Sequence, residues 1–262
     1  MTIRTGLLLA CCALLGCRTS AMRETGFLSR SLTIGAMAYP YVVNVPRDYD
    51  AARAWPVILF LHGSGERGTD GWRETIHGVA NTIRFEPAHV PAIVVFPQAP
   101  PDTRWLDEPA DAAMLALDQA IAEFHGDESR VYLTGLSMGG YGTLHLAMAH
   151  PHRFAALVVV CGGLLPHPST TAVRQSPLTM GGDPYAIAAS QLRDLPIWFF
   201  HGKDDTVIPI DESRHLVEEL HRAGAADVRF TEYEGVGHGA WDRAYGESAM
   251  WTWLFAQKRL KP

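Results

Sequence analysis

The chain is poor in the means of covalent bracing. Its four cysteines are Cys11, Cys12, Cys17 and Cys161, three of them within the first 17 of 262 residues. A domain that begins after residue 17 would hold Cys161 alone, so no intradomain disulfide can form and stability must come from core burial. Basic runs are missing too: 22 Lys and Arg stand against 28 Asp and Glu, for a formal net charge of −6. That balance leaves no electrostatic footprint for nucleic acid or anionic lipid. The 12 histidines form no H-E-x-x-H pair and no Cys/His cluster, and His145 and His150 stand at i, i+5, a poor spacing for a shared ion. No metal or cofactor is expected. There is no internal repeat and no low-complexity tract. What is abundant is apolar residues, 47% against 19% charged, enough for one sizeable core.

Strand-like runs occur at Tyr41–Val45, Val57–Leu61, Ala92–Phe96, Val131–Thr134, Ala156–Val160, Ile197–Phe200 and Val228–Tyr233. The middle ones ("VILFL", "AIVVF", "ALVVV", "IWFF") are apolar at every position, which suits strands buried on both faces of a largely parallel sheet. Between them lie helical patterns. Met114, Leu117, Ile121 and Phe124 form one stripe in Asp111–His125, Met138–His150 stops before Pro151, Asp211–Ala223 carries Leu216 and Leu220, and Ser248–Gln257 closes the domain. The alternation predicts a doubly wound α/β sandwich with helices on both faces of a mostly parallel twisted sheet. Gly162–Leu195, rich in Pro, Gly, Ser and Thr, reads as excursion loops over the carboxyl ends of the strands.

Residues 131–142 read "VYLTGLSMGGYG". Gly135-Leu136-Ser137-Met138-Gly139 fits G-x-S-x-G, in which a strand turns so sharply into a helix that the serine stands exposed on the turn. The pentapeptide alone is weak evidence, but a strand pattern precedes it and a helical one follows, the context it requires. A serine hydroxyl becomes nucleophilic only when a base takes its proton, and that base needs a carboxylate to hold its tautomer. Downstream, "IWFFHGKDDTVIP" places Asp204 and Asp205 at a strand's carboxyl end, and "YEGVGHGAWD" places His238 in a glycine-rich loop. The order is Ser, Asp, His.

With these stretches, "WPVILFLHGSGERG", "AIVVFPQAP" with "RWLDE", and "RVYLTGLSMGGYGTLHLAMAHPHRFAALVVVCGG", the chain from about Tyr39 to Gln257 resembles the α/β-hydrolase superfamily, specifically its phospholipase/carboxylesterase and feruloyl-esterase-like group of bacterial serine esterases. The resemblance implies an α/β-hydrolase fold without a large lid domain and a catalytic triad of Ser137, His238 and Asp205, with Asp204 as a structural neighbour. It implies an oxyanion hole made by the backbone N–H of Met138 and one from "LHGSGERG", assigned to Ser64 with Gly65 as the competing choice. The implied reaction is ester hydrolysis through an acyl-enzyme, of short-chain or aromatic acyl esters, with a small-molecule ester as the only partner and no nucleic acid. Polyester depolymerisation and a prolyl-oligopeptidase-like peptidase activity are the alternatives. The 40 or so residues before the first apolar strand cannot build the propeller that restricts access in such peptidases. A binding protein that keeps the fold without turnover is a third class, which a filled triad disfavours.

Several residues near this set have plainer readings. His62 and His201 are expected to bond backbone in turns, Glu66 and Arg67 to form a turn-stabilising ion pair, and Cys161 to be a buried strand-end thiol. Trp241 should pack against the catalytic loop, and Trp251 and Trp253 in the core. Trp105 stays open between lining the substrate pocket and ordinary packing.

The first residues, "MTIRTGLLLACCALLGC", carry Arg4 and then an apolar stretch from Leu7 to Leu15, too short to span a bilayer, which takes about 20 residues. This is the layout of a signal peptide, and Leu14-Leu15-Gly16-Cys17 resembles a bacterial lipobox. The expectation is a lipoprotein-type signal at 1–16, a lipid anchor at Cys17, a tether and the start of the first strands at 17–38, and a catalytic domain at 39–262. The resemblance places the protein in the bacterial cell envelope, touching membrane only through Cys17, or else as a secreted or periplasmic protein. Its oligomeric state is not legible.

Overall fold

In a computed structural model, described for residues 24–166 and 174–259, the chain forms one eight-stranded sheet. The strands are β1 (Gly26–Ile34), β2 (Met37–Val45), β3 (Trp55–Leu61), β4 (Ile93–Pro97), β5 (Gly126–Leu136), β6 (Ala156–Val160), β7 (Ile197–Gly202) and β8 (Val228–Tyr233), in spatial order β1-β2-β4-β3-β5-β6-β7-β8. The pairs β1/β2 and β2/β4 are antiparallel and every later pair is parallel.

Successive residues of a strand point to opposite faces, and the apolar middle strands feed two cores accordingly. Val57, Leu59 and Leu61 join one core with Leu133, Leu157, Val159 and Phe199, while Ile58 and Phe60 join the other with Tyr132, Val158, Val160 and Phe200. The first core takes residues of α2 (Asp107–Glu123), α3 (Met138–Ala149), α4 (Pro184–Leu192) and α5 (Asp211–Arg222). The second takes those of α1 (Val79–Phe85), α6 (Trp241–Gly246) and α7 (Ser248–Ala256). This is the expected sheet with helices on both faces, and among the described residues no large lid insertion accompanies it. Among the described residues, no helix is long and apolar enough to cross a membrane.

Three differences from the sequence reading have physical reasons. The stretch 17–38, expected as a tether with the start of the first strands, holds the whole of β1 from Gly26, paired along its length with β2 through a turn at Gly35 (φ 57°). Its sequence "GFLSRSLTI" alternates exposed and half-buried positions, as an edge strand with one wet face does, so no apolar run marks it. The excursion 162–195 contains a helix, α4, begun by Asp183, whose carboxylate accepts the Tyr185 N–H at 3.0 Å, with Pro184 in the first turn. Asp107–Glu123 is helical where Asp111–His125 was expected, because Pro109 is tolerated in a helix's first turn. The signal and Cys17 lie outside the described residues.

Candidate active site

Strand β5 ends at Leu136 and α3 begins at Met138, so Ser137 alone makes the turn, at φ 53° and ψ −120°. A non-glycine residue held there stores about 1–3 kcal/mol of backbone strain. The flanking glycines are obligatory on steric grounds. A β-carbon on Gly135 would lie 2.3 Å from the Gly139 carbonyl oxygen, and one on Gly139 would lie 1.9 Å from that of Leu61. The Ser137 N–H is fixed to Val160 O at 3.0 Å.

Loops from the carboxyl ends of β7 and β8 bring the other two residues to this turn. Ser137 Oγ is 2.8 Å from His238 Nε2, and His238 Nδ1 is 2.7 Å from Asp205 Oδ2. The second Asp205 oxygen accepts the N–H groups of Val207 at 2.8 Å and Ile208 at 2.9 Å. Burial pushes the Asp205 carboxyl up, but hydrogen bonds from His201, His238 and the Ile208 N–H outweigh it and hold the pKa well below the usual carboxylate range. An ionised Asp205 demands the proton on Nδ1 of a neutral His238, which leaves Nε2 to accept from the serine hydroxyl. Asp204 is exposed, so the buried member of the pair is Asp205.

His201 stands behind Asp205, fully buried. Its Nε2 faces two acceptors, Ile208 O at 2.9 Å and Asp205 Oδ2 at 3.2 Å, so that nitrogen carries a proton, and Nδ1 pairs with Ser213 Oγ at 2.8 Å. The turn-bonding role expected of it is there; the contact with Asp205 had no signal in the sequence.

The loop after β3 comes next to the serine: a β-carbon on Gly63 would lie 3.5 Å from Ser137 Cβ. Side chains hold four of its carbonyl groups. His62 Nε2 accepts the Ala99 N–H at 3.0 Å, so Nδ1 is the donor and reaches Gly63 O at 2.6 Å. Burial pushes the His62 pKa down to about 4, which keeps the ring neutral. Trp105 Nε1 donates to His62 O at 3.0 Å, and Gln98 Nε2 donates to Glu66 O at 3.2 Å. The expected Glu66–Arg67 pair is not what forms. Arg67 donates to the carbonyls of Ser64 (2.9 Å) and Thr103 (3.3 Å), which a backbone turn opens toward it, while buried Glu66 faces His77 at 4.0 Å. In a trans peptide the C=O and N–H point opposite ways, so the clamp on Gly63 O aims the Ser64 N–H away from His62. Ser64 and Gly65 open a short 3-10 turn, and Met138 opens α3; N–H groups at such positions have no partner within the helix.

Trp105 shows the ordinary packing that was one of its two readings. It is 2% exposed and packs edge-on against His62 at 4.9 Å, and it also borders a narrow crevice of about 20 Å³ with Leu106, Met138, Tyr141, His145 and Met148. Trp241 contacts the His238 ring at 5.6 Å, and Trp251 and Trp253 are core residues. Ligand atoms of Cys161, Asp205 and His238 lie within 4.8 Å of one another. Burial pushes the Cys161 thiol up, keeping it protonated, and both His238 nitrogens are engaged by Asp205 and Ser137, so the trio is packing around the histidine rather than an ion cage.

Comparison with known proteins gives matches along most of the chain. The model of the phospholipase/carboxylesterase family matches residues 116–248, about half of the chain. Poly(3-hydroxyoctanoate) depolymerase of Pseudomonas fluorescens is 28% identical, over 95% of this chain and 97% of that protein. Probable feruloyl esterase C of Aspergillus terreus is also 28% identical, over 65% of this chain and 56% of that one. Among solved structures, a thermostable esterase superposes with a TM-score of 0.74 at 33% identity, covering 89% of this chain; the chain spans 63% of that esterase's length.

Proposed function

We propose that this chain, which belongs to the phospholipase/carboxylesterase family of α/β-hydrolases and is a hydrolase of the esterase type, cleaves carboxylic esters through an acyl-enzyme on Ser137. The observation that carries the reading is the unbroken row Ser137 Oγ, His238, Asp205 at 2.8 and 2.7 Å. His238 Nε2 takes the hydroxyl proton as Oγ attacks the ester carbonyl carbon, and Asp205 stabilises the imidazolium through Nδ1–H. The carbonyl oxygen becomes an oxyanion between the N–H of Met138 and that of Ser64, which the His62 clamp on Gly63 O orients. Collapse returns the proton from Nε2 to the leaving alcohol. Water, deprotonated by the same nitrogen, then attacks the acyl carbon, and the acid leaves with Ser137 restored.

The crevice beside Met138, bordered by Trp105, Leu106, Tyr141 and Met148, leaves only about 20 Å³ free, which favours the smallest acyl groups; an aromatic acyl group needs these walls to move. A second substrate reading, an aliphatic polyester, is favoured by near full-length likeness to a poly(3-hydroxyoctanoate) depolymerase. Cys161 is not the nucleophile in this reading, being fully buried and held protonated. Cys17 bears the lipid, on the strength of Leu14-Leu15-Gly16-Cys17; mass spectrometry of the mature N-terminal peptide without a diacylglycerol adduct would remove that element alone.

The test is hydrolysis of p-nitrophenyl esters from acetate to palmitate, a feruloyl ester and a poly(hydroxyalkanoate) film by the chain and by Ser137→Ala. Turnover that vanishes in the variant is expected, and the chain-length profile sizes the crevice. Equal turnover by both proteins would sink the proposal.

A further inference from the structure

Glu66 is a carboxylic acid, 7% exposed, in the loop that comes closest to the nucleophile, and the triad chemistry has no use for it. Its placement is specific. A β-carbon on Gly63 would meet Glu66 Oε2 at 3.1 Å and Ser137 Cβ at 3.5 Å, so the carboxylate, the Gly63 backbone and the serine are packed together. The carboxylate interacts with the N–H groups of Gly63 and of Glu66 itself, and with the His77 imidazole, whose Nε2 is 4.0 Å from Oε1. The His77 ring in turn lies 6.1 Å from that of Trp241, the residue edge-on to His238. The main-chain ends of the same residue are tied as well: Glu66 N–H to Gly63 O at 3.4 Å, and Glu66 O to Gln98 Nε2 at 3.2 Å.

A negative charge beside a site where an oxyanion forms would oppose the reaction unless fixed dipoles offset it. The neighbouring backbone N–H groups are such dipoles, and their placement is informative. Of the N–H groups at the start of the 3-10 turn, that of Glu66 is bonded to Gly63 O at 3.4 Å and that of Gly63 lies beside the carboxylate, which leaves those of Ser64 and Gly65 for a substrate.

We propose that Glu66 is a positioning residue of the oxyanion hole: its buried carboxylate, packed against Gly63, holds that residue and its own backbone in place, fixing the turn so that Ser64, or Gly65 beside it, presents its N–H to the reacting carbonyl. The inference rests on the serine-esterase reading. Burial raises the Glu66 pKa, and His77 with the two N–H groups partly offsets the rise, so acid neutralises the carboxylate earlier than an exposed one and relaxes the turn. Facing it are His77 from the following turn, and Gly63 and its own N–H from the loop.

The test compares the full chain with Glu66→Gln and His77→Gln, using p-nitrophenyl butyrate across pH 5–9 and the rate of labelling by a fluorophosphonate, which needs the same N–H donors. Losing an oxyanion donor costs about 10²–10³ in kcat, so a misaimed one in Glu66→Gln should cost about tenfold or more, with KM within about twofold and labelling slowed in parallel. The acid limb of kcat/KM should move in both variants, with a smaller fall in kcat for His77→Gln. Parental kcat and an unmoved acid limb in Glu66→Gln would overturn the proposal, as would a loss carried by KM. If Glu66→Gln does not fold, His77→Gln decides alone: an unmoved acid limb there overturns it. Turnover surviving in Ser137→Ala would instead sink the esterase reading and leaves a different signature.

Discussion

Two turns meet at Ser137, and they are built by opposite means. The turn from β5 into α3 is fixed by exclusion: backbone oxygens 1.9 and 2.3 Å from where β-carbons would lie admit only glycine at 139 and 135. The loop after β3 is fixed by attachment, with His62, Arg67, Gln98 and Trp105 each holding one of its carbonyl groups and Glu66 packed against Gly63. A turn held by exclusion tolerates nothing and fails at once. A loop held by separate attachments should lose its function in graded steps, and two of its holders are titratable, so it should also be the more sensitive of the two to pH.

The largest expected effect is in the first turn. Ser137→Gly removes the proposed nucleophile and should remove with it roughly 10⁴-fold or more of kcat, yet glycine adopts φ 53° without strain, so the variant should melt higher by a few degrees for the roughly 1–3 kcal/mol released. An unchanged or lower melting temperature would contradict the strain assigned to Ser137. Gly139→Ala comes next. Its methyl has backbone against it, so destabilisation of about 3 kcal/mol or more is expected by chemical denaturation, and a variant of parental stability would show that the turn can yield.

The third prediction concerns pH and falls on the loop. The His62 pKa is pushed down from 6.5 to about 4 in the folded chain. Its contribution is complete above pH 6.5 and is lost as pH falls toward 4, because the unfolded chain takes up the proton first; the full loss is about 3 kcal/mol. The lowered pKa of Asp205 gives the same sign in a lower window: its stabilisation is present above the ordinary value of 3.8 and is lost only below it. Melting temperature should therefore fall between pH 6.5 and 4.5, and the fall should shrink in His62→Gln. The same variant should lose about tenfold in kcat, since Gly63 O loses its clamp. A fall of equal size in the variant would remove His62 from the account. The smallest effect is expected for Arg67→Ala, which gives up neutral carbonyl acceptors at the rim of the loop and should cost about 1 kcal/mol; a loss of several kcal/mol would mean that the loop is not held by independent attachments.

This contrast also explains what the sequence discloses. Exclusion writes itself into glycine spacing, so Ser137 stands out within a pentapeptide; strand ends and loop composition offer His238 and the pair Asp204 and Asp205, of which the family resemblance selects Asp205. Attachment has no such spelling. Arg67 is Glu66's neighbour in the chain, and the partner it suggests for Glu66 is the wrong one, because the loop turns Arg67 toward carbonyl oxygens and Glu66 toward His77, eleven residues on. The contact of His201 with Asp205 is hidden for the same reason. Buried parallel strands were legible as unbroken apolar runs, whereas β1, half exposed at the sheet edge, was not. Asp183-Pro184 was a readable start for α4, obscured by the prolines and glycines around it.

The central claim is that Ser137 is the activated nucleophile of this site. It is tested most directly by labelling the chain with a fluorophosphonate and locating the adduct by peptide mass spectrometry. The account predicts one adduct, on the peptide containing Ser137, abolished by His238→Ala; no adduct, or one on Cys161 or another serine, would contradict it.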